Sequence, residues 1–287
     1  MLNVDLHTHS DCSDGDLSPE SLVLDAARAG VECLALTDHD TVAGLARARK
    51  AAQAHGIDFI NGIELSVSWR GRTLHIVGLA INPDTPALST LIDELQKARD
   101  ERATRLAGKL EKLGVADCLA RARALSAPAP PGRPHFARLL AEDGLCSSLS
   151  DAFKRHLRPG RAAHVKAQWA ELQQTIEAIA AAQGVAVLAH PLSYGMTAAW
   201  QDRMLTAFKA AGGQAMEVVC GAYNPQQIRR CAELATRYRL MGSVGSDFHS
   251  PAQRWLRLGR PLRLPPQLSP VWQRLHGGPP AGLEGVA

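Results

Sequence analysis

The sequence predicts an α/β protein: a parallel (β/α) barrel of the TIM type with about seven strands, interrupted by a helical insertion. Three observations lead to this prediction. Short apolar strands alternate with helical segments of about ten to fifteen residues, a pattern typical of a parallel sheet. The strands are too many for a small open sheet and suit a barrel. Between residues 82 and 165 the alternation stops, and a long helix, a proline-rich stretch and short helical pieces take its place.

The composition excludes several classes of protein. Of the 287 residues, 46% are hydrophobic and 21% are charged, which suits a full core and excludes a disordered or fibrous chain. No stretch approaches the ~20 uncharged apolar residues of a membrane helix, and the first residues lack the layout of a secretion signal. Six scattered cysteines without a CxxC motif favour reduced thiols. We therefore expect a soluble cytoplasmic protein without a membrane partner.

The first part of the barrel, residues 1–81, holds four predicted strands and two helices. The strands are predicted at residues 2–6, 32–36, 59–69 and 73–81. Ser18, followed by a proline, is typical of a helix N-cap, and Gly30 is typical of a helix end. A second helix is predicted over residues 41–55. The turn at residues 70–72 joins the last two strands as a hairpin.

The second part of the barrel, residues 166–264, repeats the alternation. Helices are predicted over residues 168–183, 198–211 and 225–238, and strands over residues 185–189, 215–219 and 240–244. The insertion between the two parts, residues 82–165, begins with a helix over residues 87–113 and continues through a proline-rich linker at residues 126–132. The proline- and glycine-rich tail, residues 265–287, is expected to run over the surface.

Polar residues that can bind metals recur where the predicted strands end. They are Asp5, His7, His9 and, further on, Asp14 after strand one; Asp38, His39 and Asp40 after strand two; Glu64 on strand three; His75 on strand four; His190 after strand five; and Asp247 and His249 after strand seven. The carboxyl ends of parallel barrel strands meet at one rim. Burying so many titratable groups without partners would be costly. Imidazoles with carboxylates are ligands typical of Zn, Mn or Fe, and their number suits two or three ions.

These segments together resemble the motifs of the PHP (polymerase and histidinol phosphatase) family. The matching segments are DLHTHS with Asp14 beyond it, TDHD, LAHP and SDFH, with Glu64 and His75 between them. The resemblance implies a distorted seven-stranded (β/α) barrel around a trinuclear metal centre, here with a helical insertion domain. Within the family, the chain is most similar to a bacterial group with an insertion after the fourth strand. That group includes nucleoside 3′,5′-bisphosphate and AMP phosphatases and a 5′-to-3′ exoribonuclease.

The resemblance also implies roles for nine residues. The first metal would be held by His7, His9, Glu64 and Asp247, the second by Asp14, His39 and His249, and the third by Glu64, His75 and His190. The residues expected to act directly in catalysis are Asp14, His39, Glu64 and His249. Many family members carry histidine in place of Asp14, and a carboxylate shifts the preference from zinc toward manganese or magnesium. We expect two to three divalent ions, with manganese favoured over zinc, iron or magnesium, and we expect Asp5 and Asp38 to orient ligand imidazoles.

Phosphate ester hydrolysis is the reaction that such a centre favours. Clustered divalent ions make a hydroxide from bound water near neutral pH and clamp phosphoryl oxygens during in-line displacement. A metal-dependent amide hydrolase would typically use one HxH pair and a modified lysine, and no lysine lies at a predicted strand end. We therefore predict a metal-dependent phosphomonoesterase, and the resemblance implies that it releases the 3′-phosphate of nucleoside 3′,5′-bisphosphates.

The insertion is expected to select the substrate. Residues 97–166 hold 15 Lys and Arg against 7 Asp and Glu, although the whole chain carries only +4. The long helix carries one basic stripe, made of Arg102, Arg105, Lys109 and Lys112. A solvated helix face is the ordinary explanation of such a stripe, but the charge excess and two further polar residues beyond the linker favour phosphate binding. The predicted substrate-binding residues are Arg102, Arg105, Arg133, His135 and Asp40.

Other functions stay open at this point. A 5′-to-3′ exoribonuclease acting on short 5′-phosphorylated RNA would use the same anchor and metals but needs an open groove beyond the scissile phosphate. A histidinol phosphatase is a third interpretation, although the large basic insertion favours a substrate with more than one phosphate. A nucleic-acid-binding or proofreading module is disfavoured because the ligand set is complete. The expected partner is a nucleotide or short RNA, not duplex nucleic acid. The sequence leaves the oligomeric state open, and a monomer is compatible with it.

Overall fold

The computed structural model describes residues 2–221, 223–253, 256–260 and 262–275. The strands in these residues are β1 Val4–Asp5, β2 Cys33–Leu36, β3 Asp58–Trp69, β4 Arg72–Leu79, β5 Ala170–Glu171, β6 Val185–Leu188, β7 Ala215–Cys220 and β8 Met241–Gly245. The α-helices are α1 Pro19–Arg28, α2 Leu45–His55, α3 Pro86–Glu111, α4 Cys118–Ser126, α5 Arg133–Glu142, α6 Leu149–Ala152, α7 Leu172–Ala181, α8 Ala198–Ala210, α9 Pro225–Arg237 and α10 Trp272–Leu275, and a short π-helix spans Phe153–Leu157. Strands and helices alternate on both sides of α3–α6, as the sequence predicts.

Seven of these strands form a nearly closed barrel in the order β1, β2, β3, β4, β6, β7, β8. The two ends of this order meet through backbone hydrogen bonds. The Leu6 N–H donates to the Val244 carbonyl at 3.1 Å, and the Asp247 N–H donates to the His7 carbonyl at 2.9 Å. The predicted (β/α) barrel is therefore confirmed, and the chain just after β1 lies beside the chain just after β8.

One strand runs against the others. β4 is antiparallel to both of its neighbours, β3 and β6, whereas the other neighbouring barrel strands are parallel. The β3–β4 hairpin is long, and the short β5 adds to β3 at Val67 and Ser68. Because β4 returns toward the far end of the barrel, the chain needs a long helix to reach the rim again. α3 has 26 residues, a length of about 39 Å at 1.5 Å per residue.

The helix starts show where the sequence prediction holds and where it is wrong. α1 begins as predicted, and the Ser21 N–H donates to the Ser18 hydroxyl at 3.2 Å. α2 begins at Leu45, four residues later than the predicted start at Thr41. The chain before it is held outside the helix, since Asp40 has a φ of 52° and its N–H donates to the Glu64 carbonyl at 2.9 Å. The hydrogen bond from Asp40 to β3 therefore keeps this residue out of the helix and delays the start of α2.

The apolar side chains form two separate cores. The larger core fills the barrel and packs its helices, and it includes Leu88, Leu91 and Leu95 from the first half of α3. The smaller core lies within the insertion and includes Leu106, Leu110 and the fully buried Phe136. α3 therefore connects the cores, while the division of the chain into domains stays a prediction. None of the described helices is long and apolar enough to cross a membrane.

Candidate active site

The Glu64 carboxylate of β3 lies at the centre of the barrel rim and is fully buried. Five imidazole nitrogens lie within 3.4 Å of its oxygens, and they belong to His7, His9, His39, His75 and His190. The shortest distance is 2.8 Å, from Oε2 to His39 Nδ1. Oε1 faces the other way, toward His75 Nδ1 at 2.9 Å and His190 Nε2 at 3.1 Å. One carboxylate thus connects histidines delivered by β4 and by the chain that follows β1, β2 and β6.

Two more carboxylates flank this cluster. Asp247 Oδ1 lies 3.5 Å from His7 Nε2 and 3.4 Å from His9 Nε2. On the other side, Asp14 Oδ1 lies 3.4 Å from His249 Nε2, and Asp14 Oδ2 lies 3.8 Å from His39 Nε2. The structure therefore brings together all nine residues that the sequence predicts as metal ligands.

Three overlapping groups of donor atoms each lie within 4.8 Å of one another. The groups are His9, Asp14, His39 and His249; His7, His9 and Glu64; and His39, Glu64 and His75. His9, His39 and Glu64 each belong to two of them. Neighbouring groups therefore share donor atoms, and the number of ions that they would hold stays a prediction.

Unsatisfied donor atoms at the centre fit a metal site. Among the described residues, Asp14 Oδ1, His39 Nδ1 and Glu64 Oε2 are buried without a hydrogen-bond partner. The last two approach one another to 2.8 Å but lack hydrogen-bond geometry. A buried polar atom without a partner costs about 1–3 kcal/mol, and a bound cation would remove that cost. The nitrogen and oxygen donors suit Zn, Mn or Fe.

The carboxylates and His9 have the protonation states of metal ligands, whereas Asp14 outweighs burial and raises the pKa of His249 to about 10, so a cation would have to displace that proton. Burial alone would raise the pKa of Glu64, but His39, His75 and His7 lower it well below its usual range. In the same way, His39 and His249 outweigh burial and lower the pKa of Asp14. Burial, together with His249, lowers the pKa of His9 to about 3. The two carboxylates are therefore ionised and His9 is neutral near pH 7, as metal binding requires.

Arg99 of α3 connects the insertion to the barrel rim. Its Nε donates to Asp40 Oδ2, and its Nη2 donates to the Ser66 hydroxyl at 3.0 Å. Asp40 is fully buried and also accepts the Ser66 N–H at 2.7 Å. Asp40 therefore holds Arg99 in place, and the substrate contact predicted for Asp40 stays a prediction. Arg99 was not among the predicted site residues, although it lies one helical turn before Arg102.

Arg102 and Arg133 lie in the insertion beside Arg99. The Arg102 Nε donates to the Val165 carbonyl at 3.3 Å. Burial lowers the pKa of Arg102 to about 9, and the nearby charges of Arg133, Arg99 and Arg105 act in the same direction. Burial, followed by Arg99, also lowers the pKa of Arg133. Packing several guanidinium groups together is costly unless an anion joins them, so this region is suited to binding an anion.

A narrow crevice lies between the metal-ligand cluster and the insertion. Its lining residues are Ser13, Asp14, His39, Gln96, Arg99, Ala129, Pro130 and Gly132. The predicted linker forms one wall, where His135 is buried and its Nδ1 accepts the Gly132 N–H at 3.0 Å. Arg105 is exposed, with its Nε donating to the Glu101 carbonyl at 3.4 Å. Of the predicted substrate-binding residues, Arg105 is thus the one at the surface.

Known proteins are similar to this chain in sequence and in structure. A model of one family, the PHP domain, matches residues 5–218 of the chain. The chain belongs to the PHP family. A 5′-3′ exoribonuclease of Haemophilus influenzae is 44% identical over 270 residues, which cover 94% of this PHP chain and 98% of that protein. A 3′,5′-nucleoside bisphosphate phosphatase of Chromobacterium violaceum is 41% identical over 277 residues, covering 96% and 97%.

Two solved structures resemble the PHP protein over most of its length. One is named as an amidohydrolase from Chromobacterium violaceum with bound sulfate and no metal, and it matches with a TM-score of 0.91 at 41% identity, covering 96% of each chain. The other is named as a metal-dependent phosphoesterase from Bifidobacterium adolescentis, with a TM-score of 0.81, 26% identity and coverage of 96% and 95%. The protein is therefore a PHP phosphoesterase, a hydrolase with residues that can bind metal.

Glu217 of this PHP protein is a site residue that the sequence prediction missed. It lies on β7, is buried, and its Oε1 is 2.6 Å from His7 Nδ1. Its Oε2 accepts the backbone N–H of His190 at 2.6 Å, where the chain has the unusual φ of 28°. Gly245 leaves the necessary room, because a Cβ there would lie 2.3 Å from the His7 Cβ. The signal in the sequence was one glutamate inside the otherwise apolar strand AMEVVC.

Asp5 and Asp38 do not orient imidazoles, which corrects the sequence expectation. Asp5 Oδ1 accepts the Ser246 N–H at 2.8 Å and thereby ties β1 to the end of β8. Asp38 accepts the Ser10 and Ser13 hydroxyls at 2.6 and 2.7 Å. Both carboxylates hold backbone and loop segments that carry predicted ligands, because they are buried beside N–H and O–H donors that need partners.

Proposed function

We propose that this PHP phosphoesterase removes the 3′-phosphate of nucleoside 3′,5′-bisphosphates. The observation that supports this is the crevice between two regions that both favour anions. One wall carries Asp14 and His39 of the predicted metal centre, and the other carries Arg99, with Arg102 and Arg133 beside it. A substrate with two phosphates would use both regions, since binding one phosphate at the arginines would position the other for reaction.

The predicted ligand sets are proposed to hold up to three divalent ions, with manganese favoured. The first set is His7, His9, Glu64 and Asp247; the second is Asp14, His39 and His249; and the third is Glu64, His75 and His190. When bound, such ions neutralise charge on a phosphoryl group and make water a stronger nucleophile. The chain itself keeps the Glu64 and Asp14 carboxylates ionised and holds the histidine nitrogens close around Glu64.

The insertion residues are proposed to recognise the 5′-phosphate. The guanidinium of Arg102 has five N–H donors and uses one of them on Val165, which leaves a fork for phosphate oxygens. Arg133 and His135 lie at the linker wall, close enough for the Asp14 charge to act on both. Arg105 is exposed at the flank and is proposed to add long-range attraction. Asp40 is proposed to act by holding Arg99.

A 5′-to-3′ exoribonuclease acting on short 5′-phosphorylated RNA is the second candidate function. A relative at 44% identity carries that name, and the proposed anchor for the 5′-phosphate would be the same. The two activities differ in the group attached to the reacting phosphate: a free phosphate in one case and a continuing strand in the other. A relative at 41% identity that is named a 3′,5′-nucleoside bisphosphate phosphatase supports the smaller substrate, and we propose no duplex nucleic acid as a partner.

Product release from a substrate panel tests the proposal. The panel holds a 3′,5′-bisphosphate, the 3′- and 5′-monophosphates, histidinol phosphate, an acyl amide and a 5′-phosphorylated oligoribonucleotide. We expect kcat/KM for inorganic phosphate release to be highest with the bisphosphate. A higher value for nucleotide release from the oligoribonucleotide would replace the proposal with the second candidate. Preference for histidinol phosphate or for the amide would reject both.

We further propose a cytoplasmic monomer. The buried state of all six cysteines, none of which forms a disulfide, supports a reducing compartment. The predicted ligands all come from one chain, so the site needs no partner subunit. Light scattering at micromolar protein concentration checks the oligomeric state, and a dimer mass would reject the monomer.

A further inference from the structure

The basic stripe on α3 continues beyond the crevice and converges on one segment of the insertion. Lys109 follows Arg102 by seven residues and therefore lies on the same face of the helix, two turns further on. The Lys109 Nζ donates to the His164 carbonyl at 2.6 Å, and the Arg102 Nε donates to the Val165 carbonyl at 3.3 Å. The two cationic groups therefore contact consecutive residues of one segment, residues 164–165.

The basic residues of the insertion differ in whether a carboxylate pairs with them. Arg99, Arg121 and Arg123 each pair with a carboxylate. By contrast, in the part of the chain that the structure describes, no carboxylate lies within ion-pairing distance of the three cations Arg102, Lys109 and Arg133. The imidazole of His164 lies within the field of all three, and burial together with these charges lowers its pKa. The three cations Arg102, Lys109 and Arg133 form a cluster with more positive charge than one phosphate monoester, at about −2, would balance.

The aromatic rings beside the cluster are not available to bases. Trp169 is buried, and Arg99 and Arg102 lie over its ring at 5.4 and 5.6 Å. Arg133 lies over the Phe153 ring at 5.7 Å. A track for single-stranded nucleic acid offers open ring faces on which successive bases stack. Because arginines cover the Trp169 and Phe153 rings, these rings cannot stack on successive bases. The cations beside them are therefore better suited to a chain of phosphates than to a nucleic-acid strand.

We propose that Lys109 extends the anchor at Arg102 and Arg133 to bind additional phosphates at the 5′ end of the substrate. The substrate class is then a nucleoside 3′-phosphate with a 5′-diphosphate or 5′-triphosphate, bound more tightly than the 5′-monophosphate. This inference rests on the proposed function for the placement of the 5′ end. The reaction is unchanged: water is added, the bond between the 3′-phosphorus and its ester oxygen breaks, and inorganic phosphate and the nucleoside 5′-polyphosphate leave.

A matched pair of substrates tests the inference. The pair is an adenosine 3′-phosphate with either a 5′-monophosphate or a 5′-diphosphate, and kcat/KM is measured for wild type, Lys109→Gln and Lys97→Gln. Lys97 is exposed on α3 outside the stripe and serves as the control. We expect wild type to prefer the 5′-diphosphate by about tenfold, from one added charge-assisted contact. Lys109→Gln should abolish most of that preference, and Lys97→Gln should retain it.

Equilibrium binding separates this inference from the proposed function. The probes are adenosine 5′-monophosphate and 5′-diphosphate, titrated into the metal-loaded protein by calorimetry, with thermal melting as the check that Lys109→Gln folds. Tighter binding of the diphosphate that depends on Lys109 supports the inference even if no 3′-phosphate is released. Equal affinity for the two probes in wild type, or an equal loss for both in Lys109→Gln, overturns it. Lys109-dependent binding of a 5′-phosphorylated trinucleotide, without a gain from the diphosphate, also overturns it.

Discussion

The buried Glu64 carboxylate lies among the imidazole nitrogens of five histidines. Its two oxygens point to different partners, with His75 and His190 on one side and His39 on the other. Any ion on either side would therefore share this residue. At the scale of single residues, Glu64 is the side chain on which the integrity of the site depends most.

We expect Glu64→Ala to be the most damaging single substitution among the predicted ligands. Removing a carboxylate shared by two ions should lower the bound metal by at least one ion per chain and reduce turnover with it. Elemental analysis of the purified variant, with Glu177→Gln on the exposed face of α7 as control, measures this. Near-normal metal content together with a near-normal rate would show that Glu64 is not a bridging ligand.

Asp14 is expected to set the metal preference. Asp14→His replaces a hard oxygen donor beside His39 and His249 with a softer nitrogen donor, which should favour zinc relative to manganese. Competition titrations with the two ions, read out as the metal bound per chain, compare the variant with wild type. An unchanged zinc-to-manganese ratio would count against Asp14 as a ligand.

Glu217 is expected to position His7 without touching substrate. Its carboxylate bonds His7 Nδ1 and so leaves Nε2, the nitrogen that faces Asp247 and Glu64, free to bind metal. Glu217→Gln keeps the size but removes the charge, and we expect metal affinity to fall about 10- to 100-fold. A chelator competition assay checks this, with Glu177→Gln again as control. Unchanged affinity would make Glu217 a packing residue only.

At the scale of elements, α3 decides how the two parts of the protein meet. Its first half packs in the barrel core and its second half in the core of the insertion, so Arg99 and Arg102 stand where the helix crosses the rim. A rigid helix with packed ends holds its side chains at a fixed distance from the barrel. The position of the anion-binding arginines is therefore a property of the whole helix.

We expect Arg102→Ala to weaken catalysis selectively. Loss of a charge-assisted contact of about 1.5–3 kcal/mol corresponds to a roughly 10- to 100-fold lower kcat/KM with a 3′,5′-bisphosphate. The exposed Arg105→Ala should give a smaller loss, and it should flatten the dependence of KM on ionic strength. A generic aryl phosphate has no second phosphate and serves as the control substrate. Equal losses on both substrates would mean that Arg102 supports structure or the metal centre.

At the scale of the whole molecule, the barrel and the insertion are joined by charged contacts next to the site. Arg99 pairs with Asp40, and Arg138 of α5 pairs with Asp16 in the loop after β1. The barrel rim itself gathers acidic and imidazole groups that are buried without adequate partners. The stability of the rim and its metal occupancy are therefore expected to be linked.

Removing metal should destabilise the fold as well as stop the reaction. A ligand at 100 times its Kd stabilises the native state by about 2.7 kcal/mol, which corresponds to roughly 5–10 °C in Tm for a chain of this size. We expect a chelator to lower Tm by that order and manganese to restore it, measured by scanning calorimetry with activity in parallel. An unchanged Tm together with full activity after chelation, verified by elemental analysis, would reject the metal centre.

The sequence by itself determined the strand-helix alternation, the place of the insertion and the clustered ligands. These are local: apolar periodicity fixes strands and helices, and a His or Asp at each strand end must reach the shared rim of a barrel. Only the tertiary structure decided the contacts of Glu217 and Arg99, the late start of α2 and the hydrogen-bond partners of Asp5 and Asp38. These features depend on which buried donors and acceptors come together from segments that are distant in the chain. A buried carboxylate needs a hydrogen-bond partner, and only the folded structure shows which donor lies next to it.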